Sequence, residues 1–471
     1  MTREFFNFII NRIRAKYLFS ISLYCFCSIS LLNVTYSFAD EKPTLNTQPL
    51  NNNAGIVLCT ENGKVLCSQN ENRGFVPAST LKVLTSLSAR HYFGEDYRFK
   101  TDFFLERYAS NINLKIKGYG DPLFTSPTIH DACRELSSIL KSINITSIND
   151  VIVDNSFFAS DINIDGKSDT NNPYDAFVGA LSANFNTVAF RYSKAEQSYI
   201  SDDPETPLLP FVMNRVRSSG LKRGRVVLSE EESRLYAGIL IQHFLSQEGI
   251  VVKGQVTRGV VSRGDRLIYK FISPYDIDEI TRRLLAYSSN FMANQLFLSA
   301  GARAFSPPAT IEKGVAAVAD YAKGVVGISA SKQANFRNSN HAYADSGNSN
   351  VVIVEGSGLS RKNRISPADM VKVLKRFRPD YHLMKSEAIE GEILKVAYSG
   401  DDMRIARGNM AIGGNEYYKT GTLNGVRTRC GYFETSKGLY PFVIMINEAG
   451  AGYDKIRQFL WNSVLAYEGK R

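Results

Sequence analysis

The stretch Pro77-Ala78-Ser79-Thr80-Leu81-Lys82, "PASTLK", decides how the rest of the chain reads. It sets a serine three residues ahead of a lysine, and on a helix that spacing lays the amine over the same face as the hydroxyl. The tetrapeptide alone is uninformative, because Ser138…Lys141, Ser219…Lys222 and Ser329…Lys332 repeat it. Its surroundings separate Ser79 from these. "AGIVLCTENGKVLCSQN" before it reads as a β-hairpin turning at Asn62-Gly63. "TLKVLTSLSARHYFG" after it carries Leu81, Leu84 and Leu87 at threefold spacing, which suits a partly buried helix. Pro77 lies just before that helix and Ser79 at its first turn. On position alone, a serine capping backbone N–H groups is the simpler reading.

Two further patterns change it. "AYSSNFMAN" places Ser288-Ser289-Asn290 between two helical stretches, and "YYKTGT" holds Lys419-Thr420-Gly421, the only Lys-Thr-Gly in the chain. Ser-x-Asn recurs at Ser182–Asn184, so no motif suffices by itself. In this order, Ser-x-x-Lys, Ser-x-Asn and Lys-Thr-Gly form the signature of penicillin-recognising serine acyl-transferases. The residue types fit the chemistry. A serine hydroxyl needs a base before it attacks. Lys82 can be that base only when neutral, which burial and a neighbouring cation, Lys419, would favour. Ser288 can relay a proton to a leaving amine, and Asn290 can hold Lys82 and a substrate amide. Lys-Thr-Gly on an edge strand lets a peptide pair as an extra strand, with Gly421 keeping the approach open. Lys419, Thr420 and Thr422 would receive a terminal carboxylate, and the oxyanion would sit between the N–H groups of Ser79 and a residue near Thr422.

The remainder of the chain sets the context. At 471 residues it exceeds one ordinary core. "MTREFFNFIINRIRAK", then an apolar run of about 16 residues and "SFA|DEKP", has the order of a secretory signal over residues 1–39. The run is short for a membrane span, although an uncleaved anchor stays open. Loss of that segment would remove four bases and one acid from the net charge of +10, leaving about +7. That charge is either a solvated basic surface or an attraction to an anionic polymer or membrane face. Nucleic acid is not expected, since no basic run or binding motif occurs. Residues 40–53 read as a polar leader. Cys59, Cys67, Cys133 and Cys430 remain, an even number for an oxidising compartment. Cys59 and Cys67 flank the hairpin turn and form either a disulfide or two separate thiols, depending on the loop length.

Short strands dominate after "YRFKTDFFLE", helical periodicity returns after Arg266, and "VVIVEGSGLSRKNRISPADMVKVLKRF" gives a strand, a Gly-rich turn and a helix. The reading is an α+β protein in which one domain, residues 40–100 and 267–471, is interrupted by a β-rich insertion at 101–266. The five histidines show no metal-ligand spacing, so neither metal nor cofactor is expected. A phosphate-loop reading of "DGKSD" fails because Asp161 stands where the first glycine is needed, and no Gly-x-Ser-x-Gly elbow is present.

Beyond the triad, "FGEDYRFKT", "GYGDPLF", "VGALSANFNTV", "SPYDIDEITRRLLAYSSNFMANQ", "EGSGLSRKNRISP" and "KTGTLNG" together resemble the class C low-molecular-mass penicillin-binding proteins, the D-alanyl-D-alanine carboxypeptidase/endopeptidase family. The resemblance runs over nearly all of the chain after the leader. It implies a β-lactamase/transpeptidase-like domain, an antiparallel sheet flanked by helices, carrying a large insertion. It implies a periplasmic enzyme whose Ser79 attacks the bond between the two D-alanines of a peptidoglycan stem peptide, often cutting D-alanyl–diaminopimelate cross-links as well. β-Lactams would acylate Ser79. Asp154 in "VIVDNSFFAS" matches an insertion aspartate that holds the substrate's side-chain amine, while an exposed strand-end aspartate remains the plainer reading. Ser289 and Glu355 replace the usual aspartates of their motifs. A β-lactamase, a non-catalytic peptidoglycan-binding protein, loose membrane association and a homo-oligomer stay open.

Overall fold

The hairpin expected around Asn62-Gly63 forms, pairing β1 (Ala54–Cys59) with β2 (Val65–Gln69). This computed structural model describes residues 53–108, 111–168, 170, 172–331, 351–389, 394–397, 404–407, 413–448 and 452–469. The expected signal segment, nearly all of the polar leader, Lys332 and His341 lie outside them. The hairpin loop runs from Thr60 to Lys64, and a bulge at Leu58/Cys59 sets Leu58 opposite Cys67 and Cys59 opposite Val65. Side chains alternate across a strand, so Cys67 shares the face of Leu58 and Cys59 points to the other. The two thiols pack in different cores and are free.

Ala78–Thr80 forms a single 3₁₀ turn that runs into α1 (Leu81–Phe93). The leucine spacing suggested one buried face, yet every residue from Leu81 to Arg90 is buried. The helix is enclosed by other helices and the sheet, and two of its hydroxyls are satisfied inside: Ser86 Oγ donates to Lys82 O at 2.8 Å and Thr85 Oγ1 to Gly356 O at 2.6 Å, while Ser88 Oγ is buried without a partner.

From Arg98 a second sheet is built. Its strands are β3 (Arg98–Tyr108), β4 (Asn111–Gly118), then, after α2 (Ser126–Ser142), β5 (Val151–Asp154). A small sheet of β6 (Thr187–Ser193), β7 (Ser198–Ser201) and β8 (Arg223–Val227) follows. Helix α3 (Glu230–Gln247) starts at a capping box in which Ser229 and Glu232 each accept from the other's backbone. It leads to β9 (Val256–Arg258) and β10 (Arg266–Asp276), completing a five-stranded sheet in the order β9-β5-β4-β3-β10. The apolar faces of α2 and α3 and this sheet share one core, including Phe103, Ile116, Leu136, Tyr236 and Leu240.

Strand β10 passes directly into α4 (Ile277–Tyr287), capped by Asp276, whose side chain accepts from Glu279 N at 2.9 Å. Then come α5 (Asn290–Phe305), α6 (Ile311–Tyr321) and α7 (Pro367–Phe377), the last with proline at its first position. The chain ends with β11 (Lys385–Ile389), β12 (Gly414–Leu423), β13 (Val426–Thr435), β14 (Gly438–Ile446) and α8 (Tyr453–Gly469). The central sheet is antiparallel with order β11-β12-β13-β14-β1-β2, so the first strands complete a sheet made mostly by the last. On one face Val57, Tyr432, Val443 and Met445 meet α1, α5 and α7. On the other Ile56, Phe433, Phe442 and Ile444 meet Ile456, Leu460 and Trp461 of α8. Fully buried Glu416 on β12 accepts from Arg429 Nε of β13 at 2.5 Å and Arg457 Nε of α8 at 2.7 Å. These charge-assisted bonds tie β12 to its layer.

Candidate active site

The 3₁₀ turn puts Ser79, half-buried, at the head of the buried helix, with Lys82 one turn on. Lys82 Nζ donates to Ser79 Oγ at 2.9 Å, to Asn290 Oδ1 at 2.7 Å and to Ser357 O at 2.7 Å. Lys82 is wholly inaccessible. Burial, and then the nearby charge of Lys419, hold its amine well below the usual lysine pKa, with Glu355 opposing. Two of the other Ser-x-x-Lys sites lack this: Lys141 and Lys222 are both exposed.

Asn290 opens α5, and its side chain is buried beside Lys82. The chain reaches it through Ser288, whose φ of 56° and ψ of 33° end α4 in the left-handed region. Ser289 then caps α5, accepting from Met292 N at 3.2 Å. That explains a short polar residue in the middle of the motif: serine and aspartate are both favoured caps. Ser288 Oγ accepts from Lys419 Nζ at 2.8 Å, and Lys419 also donates to Thr420 O at 2.7 Å. Burial lowers the pKa of Lys419 to about 8, and Lys385 adds to the fall.

Lys419 lies where β12 becomes an edge. Strand β11 pairs with residues 414–418 and stops, leaving Lys419–Leu423 unpaired on that side among the described residues. Thr420 and Thr422 are exposed there. Gly421 faces the nucleophile turn: a Cβ at this position would lie 2.3 Å from Thr428 Oγ1, 2.8 Å from Ser79 N and 2.9 Å from Pro77 O. Gly358, in the loop that follows Glu355, also closes on the turn: a Cβ there would meet Ala78 O at 1.8 Å, and φ is +82°. Between them Ala78 is held at φ 47°, an uncommon conformation for a residue with a Cβ. Thr428 Oγ1 donates to Pro77 O at 2.7 Å and pins the same turn. Gly421→Ala is therefore expected to push β12 away from Ser79 N and lower the acylation rate by roughly 10²–10³-fold, as loss of an oxyanion donor does. Stopped-flow acylation by a chromogenic β-lactam measures this; an unchanged rate would show that the close approach is not used.

Asp154 does not join the group. Its carboxylate is fully buried at the end of β5, where Oδ1 accepts from Ser156 N at 2.8 Å, Oδ2 from Val261 N at 2.9 Å, and Lys117 Nζ lies 3.4 Å away. Its oxygens are occupied in bracing the second sheet.

A serine paired with a buried lysine, a second lysine on a serine relay and an open strand edge converge on one site. A family model described as the D-Ala-D-Ala carboxypeptidase 3 (S13) family matches residues 40–460. The chain belongs to this family. Its members are serine D-Ala-D-Ala carboxypeptidases, and this S13 chain is an enzyme of that class. It is similar to D-alanyl-D-alanine carboxypeptidase DacB of Haemophilus influenzae, 25% identical over 472 residues, which covers 90% of this chain and 92% of the relative. The crystal structure of penicillin binding protein 4 (dacB) from Haemophilus influenzae shares the fold, with a TM-score of 0.59 at 21% identity over 85% of this chain and 91% of that one. A second structure of that protein, complexed with a novel β-lactam, gives a TM-score of 0.56 at 20% identity over the same shares. The fold is thus the penicillin-recognising α+β type expected from the motifs.

One contributor to the S13 site has a role that its motif does not disclose. Glu355, fully buried, accepts from Ser357 N and Oγ (2.7 and 2.6 Å), Gly358 N (2.7 Å), Ser360 N (3.3 Å) and Asn363 Nδ2 (2.7 Å). These bonds wrap the loop around one carboxylate and aim Ser357 O at Lys82. Asn294 helps, its Oδ1 accepting from Gly356 N at 2.9 Å. The signal was the clustering of Gly, Ser and Asn after a single acid, which marks a turn but not its target. Arg361, in the same loop, donates to Asn424 O and ties the loop to the β12–β13 turn.

Proposed function

We propose that Ser79 is the acylated nucleophile of a D-Ala-D-Ala carboxypeptidase acting on peptidoglycan stem peptides, and that the same site cuts D-alanyl–diaminopimelate cross-links. The observation that carries this reading is Lys82, wholly buried, its pKa held well below the usual lysine value by that burial, and placed between Ser79 Oγ and Asn290 Oδ1. Lys82 takes the hydroxyl proton as Ser79 Oγ attacks the carbonyl of the penultimate D-alanine. The N–H groups of Ser79 and Thr422 receive the oxyanion. Lys419, with Thr420 and Thr422, holds the terminal carboxylate, and Gly421 admits the peptide along the edge of β12. The tetrahedral intermediate collapses by breaking the C–N bond, and Ser288 passes its proton to the departing amine while taking up the one that Lys82 removed from Ser79, which leaves Lys82 neutral again to accept a proton from the attacking water. Water then attacks the ester, returning the proton to Ser79 and releasing the shortened peptide. β-Lactams enter the same path and remain as the acyl-enzyme. The order of basic, apolar and small residues over 1–39 supports export to the periplasm.

The test is purified protein with a stem pentapeptide and with a fluorescent penicillin. Release of D-alanine together with a long-lived covalent label is expected. Absence of both would overturn the reading, while rapid loss of the label with penicillin turnover would favour a β-lactamase.

A further inference from the structure

Beside the Ser288–Asn290 corner opens a cleft of about 520 Å³ that the reaction as described leaves unused. Ser288, Ser289 and Asn290 line it, but Ser79 and β12 do not. It therefore extends from the side where the leaving amine is protonated. Its walls are aromatic and cationic. Tyr287 is 79% exposed and Tyr174 62% exposed, both unusual for such large side chains. Arg283 stacks over Tyr275 at 4.5 Å and is paired with Glu279 at 2.7 Å. Arg225 donates to Thr187 Oγ1 at 2.7 Å and has no carboxylate partner among the described residues.

The wall opposite Phe291 is built under strain. Asn184, Phe185 and Asn186 have φ of 47°, 59° and 52°, three consecutive residues in the left-handed region. Buried bonds enforce this. Asn184 Nδ2 donates to Ser126 Oγ at 2.8 Å and Tyr236 Oη at 3.1 Å, and Asn186 Nδ2 donates to Phe177 O at 2.8 Å and Ser182 Oγ at 3.0 Å. The outcome is Phe185 presented at the cleft, edge-on to Phe291 at 5.8 Å. Persistent strain of this kind marks functional positions.

A D-alanine leaving group, its carboxylate held by Lys419, has no further groups to place in this cleft. A cross-link differs: the amine that leaves belongs to a second stem peptide, and that peptide carries free carboxylates. Building on the function proposed above, we infer that this cleft is the subsite for the leaving-side stem peptide of a cross-linked dimer, with its carboxylates on Arg225 and Arg283 and its backbone against Tyr174, Phe185 and Tyr287.

The test compares Arg225→Gln and Tyr174→Ala, both at exposed positions, on two substrates: a stem pentapeptide and a purified peptide dimer joined through a D-alanyl–diaminopimelate bond. For each variant kcat/KM on the dimer is expected to fall about tenfold, mainly through KM, as loss of a charge-assisted bond at Arg225 or of a large aromatic contact at Tyr174 would produce. D-Alanine release and penicillin acylation should stay within about twofold of wild type. Equal losses on both substrates, no loss on the dimer, or a wild type that trims the pentapeptide but leaves the dimer intact would each overturn the subsite. A wild type inactive on both substrates and unlabelled by penicillin would instead overturn the assignment of the active site.

Discussion

Replacing Ser79 by alanine is expected to abolish the covalent penicillin adduct and to lower D-alanine release by roughly 10⁶-fold, the scale seen when a serine nucleophile that acts as a unit with its base is removed. The reason is specific to this geometry. With Oγ gone, Lys82 Nζ keeps its bonds to Asn290 Oδ1 and Ser357 O, so the base stays in place with no hydroxyl to deprotonate. The strand edge at Lys419–Thr422 is untouched, and Ser79 makes no other side-chain hydrogen bond among the described residues. Substrate binding should persist, and the folded state should be nearly unaffected. Intact-mass spectrometry after incubation with benzylpenicillin measures the adduct directly. An adduct of equal yield on the alanine variant would place the nucleophile elsewhere, whatever the variant's rate on peptide.

The parts of the fold legible in the sequence are those set by neighbours along the chain. The β1–β2 hairpin follows from Asn62-Gly63 between strand-like runs, and α1 from its leucine spacing. The convergence of Ser79, Lys82, Ser288, Asn290 and Lys419 is legible only as a set of motifs, since sequence gives no distance between residues so far apart. The structure supplies it by placing β1 beside β14 and by ending α4 at Ser288 in a left-handed turn.

What is hidden has a common cause. Glu355 takes its importance from five donors that fold back on it, and a carboxylate in a Gly-Ser loop looks the same whether it faces water or a buried N–H. Asp154 is the converse. Its position at a strand end suggests exposure, but Val261, far along the chain, brings a backbone N–H to it and closes it off. The separation of Cys59 from Cys67 turns on one bulged residue, which reverses the face of every side chain beyond it.

Lys82→Arg is expected to lower acylation by at least about 10³-fold, within the range attributed to a positioned general base. A guanidinium stays protonated at any pH the protein survives, so it can donate to Ser79 but not accept its proton. The wild-type pH profile tests the same point with its sign fixed. The active form of Lys82 is the neutral amine, so acylation is present above its folded-state pKa and is lost as pH falls through it. That pKa is depressed first by burial and second by Lys419. Lys419→Met removes the second cause and leaves the first. The pKa of Lys82 should rise, and the acid limb should move to higher pH, even though the overall rate also drops because the carboxylate loses its partner. Lys419 must be charged for that contact, and with its pKa lowered to about 8 it should give the wild type an alkaline limb near that pH. The limb should vanish in Lys419→Met. The second-order acylation rate of a β-lactam, measured across pH for both proteins, separates the possibilities. If Lys82 worked as a cation, its titration would instead set an alkaline limb, and Lys419→Met would extend activity upward in pH without moving the acid side.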